Sequence, residues 1–158
     1  MGQIEQVKIE QVIKQMAGKK VYFDTNPIVY FTNKVGGFFD VCLPIFQSLD
    51  NEEFSAYSSE IALSELLVKP MRDGNLLEVR QLKNLFEEDG FFTLLSHDRE
   101  IFELTANIRA LKNLKMIDAI HVATALVNGC DFLITGDNKI AQRITGIDIV
   151  NLNDYIPV

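Results

Sequence analysis

Two hydrophobic periods alternate along the chain. Ile4, Val7, Val12, Ile13 and Met16 return at helical spacing and Gly18 offers a stop, which predicts an amphipathic helix at the start. Val21-Tyr22-Phe23 is instead a compact β-favouring run, read as a strand. It gives way to Asp24-Thr25-Asn26-Pro27. Asn26 is expected to cap a helix there with Pro27 at its first position, where the missing N–H costs nothing. That helix carries Ile28, Val29 and Phe31, and Gly36-Gly37 breaks the chain. A helix from Phe38 to Leu49 follows, with Pro44 as a kink, then a strand from Phe54 to Tyr57. Ser58 or Ser59 caps the next helix, which runs to Lys69 and is stopped by Pro70; Asp73 opens another that ends before Gly90.

Phe91 to Leu95 reads as the third strand, and a helix follows from Ser96–Asp98 to Asn113. Met116 to Asn128 is a further helix, closed by Gly129. Phe132-Leu133-Ile134 is the fourth strand, and its unbroken apolarity suits burial on both faces. A short helix from Asn138 to Ile144 and a last strand, Asp148-Ile149-Val150, complete the order. Strands that alternate with helices predict an α/β fold with a mostly parallel sheet.

The length of 158 residues suits one domain, and 47% hydrophobic with 23% charged residues excludes disorder as the main state. No run approaches the roughly 18 apolar residues of a membrane span, so no membrane association is expected. Two cysteines, Cys42 and Cys130, are too few for a disulfide scaffold and read as small buried hydrophobes. Met1 to Glu10 lacks the continuous apolar core of a secretory signal, so a reduced, cytoplasmic protein is expected. The net charge of -7 counts against a broad basic nucleic-acid platform. It leaves room for an acidic pocket that holds cations.

Four acids define such a pocket. Asp24 follows the first strand and Asp137 follows the fourth, and parallel sheets bind ligands at the carboxyl ends of their strands. Glu65 and Asp118 interrupt apolar helical stretches, where an acid is expensive unless paired or metal-bound. Singly, each has a plain explanation. Asp24 and Asp137 suit caps or turns, Glu65 an exposed helical position, and Asp118 the positive end of a helix dipole. Jointly they ask for one explanation.

The fragments Phe23-Asp24-Thr25-Asn26, Ser64-Glu65, Asp118-Ala119-Ile120-His121-Val122-Ala123-Thr124-Ala125 and Thr135-Gly136-Asp137, in that order, resemble the PIN-domain ribonucleases. They are most similar to the VapC-type toxins of toxin–antitoxin pairs. The resemblance covers nearly the whole chain. It implies a three-layer α/β/α sandwich, with residues 1–19 as a helical extension and 20–158 as the PIN-like domain. It also implies that Asp24, Glu65, Asp118 and Asp137 bind Mg²⁺ or Mn²⁺ and cut RNA, in a homodimer restrained by a cognate antitoxin. Where some members carry a further acid after the last one, this chain has Asn138 and Lys139.

Elementary electrostatics agrees with that implication. Two like charges about 5 Å apart repel by roughly 3 kcal/mol at an effective dielectric of about 20, and four carboxylates multiply the cost. A hard divalent cation resolves the conflict with oxygen ligands, and can activate water and stabilise charge on a phosphodiester. Asp24, Asp118 and Asp137 are the expected ligands. Glu65 is a ligand or orients the attacking water. Asn26 and Thr135 are expected to hydrogen-bond to the ligands, and Arg109 and Lys112, on one helical face, to contact RNA phosphate. His121, amid apolar residues, is read as structural, and His97 as a surface or capping group. Two alternatives remain. One is a non-catalytic module of the same fold. The other is an aspartyl-phosphate phosphohydrolase, which needs a second Asp where Asn26 stands.

Overall fold

The computed structural model describes residues 2–87 and 90–157. Five strands form one fully parallel sheet: β1 (Lys20–Phe23), β2 (Ser55–Ser59), β3 (Thr93–Leu95), β4 (Phe132–Thr135) and β5 (Asp148–Asn151), in the spatial order β3-β2-β1-β4-β5. The helices are α1 (Gln3–Met16), α2 (Thr25–Thr32), α3 (Phe38–Asp50), α4 (Glu60–Arg72), α5 (Leu76–Asn84), α6 (Arg99–Lys112), α7 (Met116–Val127) and α8 (Asn138–Arg143). A 3₁₀ turn, Leu152–Tyr155, follows β5 and was not expected from the pattern.

The period of two along the strands builds the three layers. Val21, Phe23, Ala56, Phe132, Ile134 and Val150 face one core, with residues of α1 to α5. Tyr22 and Leu133 face the other, with residues of α6, α7 and α8. The expected α/β/α sandwich is therefore the observed architecture. Phe23 is the hinge of the first core, with the rings of Phe46, Phe54 and Phe92 around it.

Several boundaries move for physical reasons. Asp24, not Asn26, caps α2: its Oδ1 accepts the Thr25 N–H at 2.7 Å, so Pro27 falls at the third helical position. The first turn needs no N–H from it. Pro70 does not stop α4, which runs to Arg72; the proline is buried, and packing outweighs the lost backbone bond. Asp73 yields the next cap to Asn75, whose Oδ1 accepts the Glu78 N–H while its Nδ2 donates to Glu78. That helix ends at Asn84, and the expected stretch over 88–89 lies outside the described residues. Phe91 and Phe92 precede β3 rather than join it, and Phe92 goes to the core.

The first helix packs against the sheet's first core through Ile9, Ile13 and Met16. Ile9 is 0% exposed. Ile9→Ala is expected to lower the unfolding free energy by about 2–5 kcal/mol, because a buried branched side chain leaves both lost contacts and a cavity. A urea midpoint shift at unchanged slope is the measurement.

Candidate active site

The strand order reverses between β1 and β4, so a crevice opens beyond their carboxyl ends. Asp24 stands there, 4% exposed. One of its oxygens caps α2; the other, Oδ2, accepts the Thr135 hydroxyl at 2.8 Å. A buried carboxylate is thereby satisfied at both oxygens. The Thr135 oxygen in turn accepts the Asp137 backbone N–H at 3.0 Å, and Asp137 Oδ1 caps α8 by accepting the Lys139 N–H at 2.7 Å. Thr135 thus joins the two acids. Between them, Gly136 lets the Tyr30 ring approach: a Cβ there would lie 2.7 Å from Tyr30 Cε2. The Gly136 carbonyl accepts Asn153 Nδ2 at 2.9 Å, which ties the loop to the 3₁₀ turn.

Glu65 comes from α4 with its side chain 34% exposed. Its Oε1 accepts the Thr25 hydroxyl at 2.6 Å and lies 2.9 Å from His121 Nε2. His121, on α7 one turn beyond Asp118, is fully buried. Its Nε2 also lies 3.1 Å from Thr25 Oγ1 and 3.4 Å from Asp24 Oδ1, and its Nδ1 lies 2.7 Å from the Tyr22 hydroxyl. Burial pulls the Glu65 pKa upward, but the bonds from His121 and Thr25 outweigh it and leave it below the usual carboxylate value. Burial pulls His121 downward, yet its bond to Glu65 and the charges of Asp24, Glu65 and Asp118 hold it above its ordinary value.

Asp118 occupies the first turn of α7, half-buried. Burial raises its pKa, and repulsion from Asp137, Asp24 and Glu65 raises it further, with His121 offsetting part. Asp24 and Glu65 thus meet at His121, one turn beyond Asp118, and Thr135 joins Asp24 to the Asp137 backbone. Asp24 and Glu65 have committed oxygens to protein donors. Among the described residues, no three acidic, histidine or cysteine side chains converge as a finished ligand set. A carboxylate keeps about four lone-pair sites, however, so each retains acceptor capacity. An all-oxygen donor set whose members repel one another fits a hard divalent cation better than any neutral ligand.

Among the described residues, the other expected site residues form no hydrogen bond or ion pair with these acids. Asn26 is exposed on the first turn of α2. Arg109 and Lys112 lie exposed on the last turn of α6, and neither is among the groups that shift Asp118 or Glu65. His121, Thr25 and Tyr22 were not counted as site residues from the sequence, yet they occupy its centre. The spacing of Asp118 and His121 carried the signal, since residues three apart share a helical face. Cys42 and Cys130 are buried free thiols, and burial pushes them up to about 12 and about 11.

Residues 21–145 match the sequence model of the PIN domain. No curated protein sequence matches the chain. Among solved structures, a toxin–antitoxin complex from Klebsiella pneumoniae is similar at 22% identity and a TM-score of 0.60, over 84% of this chain and 97% of the other. VapBC2 from Rickettsia felis, bound to a DNA fragment from its promoter, is similar at 17% identity and a TM-score of 0.64, over 84% and 98%. VapBC-1 from nontypeable Haemophilus influenzae is similar at 20% identity and a TM-score of 0.63, over 85% and 98%. Identities this low speak for a shared fold.

Proposed function

The chain belongs to the PIN domain family, and from that membership we propose that it is a metal-dependent ribonuclease, the toxin of a type II toxin–antitoxin pair. The observation that carries the reading is the gathering of four acids from four separate stretches of chain: Thr135 bonds to both Asp24 and the Asp137 backbone, His121 Nε2 lies within 3.4 Å of both Asp24 and Glu65, and Asp118 stands one helical turn before His121. Evolution of a stable fold alone has no use for such a cluster, whereas phosphodiester hydrolysis does. Asp24, Glu65, Asp118 and Asp137 would hold Mg²⁺ or Mn²⁺, which when bound supplies an activated water and neutralises charge on the phosphate. The protein's own part is placement. Thr135 fixes Asp24 and the Asp137 loop together, the α2 cap fixes Asp24 from the other side, and Thr25 restrains Glu65.

An acidic site invites a cationic plug, and the Klebsiella pneumoniae structure of similar fold is a toxin–antitoxin complex. A cognate antitoxin that masks the pocket, and a homodimeric toxin in the cytoplasm, complete the proposal. Among the described residues no helix is long and apolar enough to cross a membrane. Arg109 and Lys112 remain proposed phosphate contacts, and Asn26 a proposed hydrogen-bonder at the rim.

The test uses purified protein and a mixed pool of structured RNAs, with Mg²⁺, with Mn²⁺ and with chelator. Cleavage with either ion and none with chelator is expected, alongside metal binding by calorimetry. Absence of both cleavage and binding would leave the non-catalytic module as the better reading.

A further inference from the structure

Tyr22 and His121 are fully buried polar side chains to which the proposed reaction assigns no task. With Ser59 they form a hydrogen-bonded line from the sheet to the pocket. Ser59 Oγ lies 2.7 Å from the Tyr22 hydroxyl, that hydroxyl 2.7 Å from His121 Nδ1, and His121 Nε2 2.9 Å from Glu65 Oε1. An ionised carboxylate can only accept, so the proton of the last bond belongs to Nε2. A tyrosine hydroxyl suits the other end, because it donates to a bare Nδ1 and accepts from a protonated one, turning its own proton toward Ser59. The Tyr22 ring also packs edge-on to the imidazole, with centroids 5.8 Å apart at 60°. The imidazole is therefore fixed at both nitrogens and along its edge.

Glu65 needs such a partner. It starts from the exposed side of α4, where a long side chain would otherwise spread over many rotamers. Thr25 and His121 both engage the same oxygen, Oε1. Among the described residues no hydrogen bond engages Oε2.

We propose that His121 is a positioning residue that holds Glu65 by Oε1 and so presents Oε2 to the pocket, with Tyr22 keeping the ring in that pose. This rests on the nuclease reading above. Partners that orient metal ligands typically change metal affinity or activity by about 10–100-fold when removed.

Three variants separate positioning from mere folding. His121→Leu keeps bulk and loses the donor. His121→Gln keeps an N–H near the place of Nε2. Tyr22→Phe loses one hydroxyl. Mn²⁺ titration of the metal-free proteins, RNA cleavage kinetics and a thermal melt are measured on each. His121→Leu is expected to weaken Mn²⁺ binding and lower kcat by about 10–100-fold with KM for RNA little changed. His121→Gln should recover most of the loss, and Tyr22→Phe should fall between. In the metal-free parent protein, a ¹⁵N-coupled His121 ring N–H resonance should resist exchange with water, and Tyr22→Phe should weaken that protection. If His121→Leu does not fold, Tyr22→Phe and His121→Gln carry the test. A folded His121→Leu with parental Mn²⁺ affinity and kcat overturns the proposal, as does a parental Tyr22→Phe where His121→Leu does not fold. A parent protein that neither binds Mn²⁺ nor cuts RNA overturns the nuclease reading instead, and the ring N–H resonance still decides whether His121 holds Glu65.

Discussion

Asp24→Asn is expected to lower metal-dependent RNA cleavage by about 10³-fold or more, equivalent to about 4 kcal/mol of transition-state stabilisation. The fold should survive the change. Asn caps a helix about as well as Asp, so its Oδ1 can still accept the Thr25 N–H. Its amide then faces Thr135, whose hydroxyl oxygen can accept as well as donate. The substitution thus removes charge and preserves connection. Cleavage assays paired with a denaturation curve test both halves, and a variant that cuts at the parental rate would remove Asp24 from the chemistry.

Asp118→Asn should separate activity from stability even more sharply. Cleavage should again drop by about 10³-fold. The metal-free fold should lose no more than about 0.5 kcal/mol and should gain where the pocket is charged, because the variant relieves repulsion from Asp137, Asp24 and Glu65. A loss above about 1 kcal/mol would instead assign Asp118 a structural hydrogen bond. The pH dependence gives an independent check. The folded pKa of Asp118 is raised, so its protonated form contributes stability that is complete below the ordinary aspartate value near 3.8 and is lost as pH rises through the folded pKa. Glu65 is lowered and acts in the opposite sense: its stability is present above the ordinary glutamate value near 4.5 and is lost as pH falls. Subtracting the Asp118→Asn stability curve from the parental one should isolate the first effect. A flat difference across the acid range would count against a crowded pocket.

The strands, and the places of the four acids on the elements, were legible because their signals are local. A β-favouring run followed by an acid marks a strand end whatever lies around it, and Asp24 and Asp137 stand where that rule put them. The cap of α2 was not, since Asp and Asn compete on nearly equal terms and a proline is tolerated throughout the first turn. Pro70 misled because burial of its ring is decided by residues distant in sequence. His121 is the instructive case. Its apolar neighbours correctly announced burial, but its partners are Tyr22, Thr25 and Glu65, between 56 and 99 positions away. No periodicity encodes such a meeting. The fate of the first helix was hidden likewise, because an amphipathic stripe says that one face is covered and not by what.

That covering shapes how the molecule opens. Outlying elements ordinarily open locally at little cost in free energy. Here Ile9 and Met16 of the first helix and Leu152 of the 3₁₀ turn are all fully buried in a single cluster, and the two elements touch directly. Neither element can open without baring the other's anchor, so the opening of either is coupled to loss of the shared core. The weak point moves inward, to α5, where Leu82 is the one buried residue while Leu76 and Leu77 face solvent. A protease meeting the native protein would find an easier foothold at α5 than at the first helix or the 3₁₀ turn.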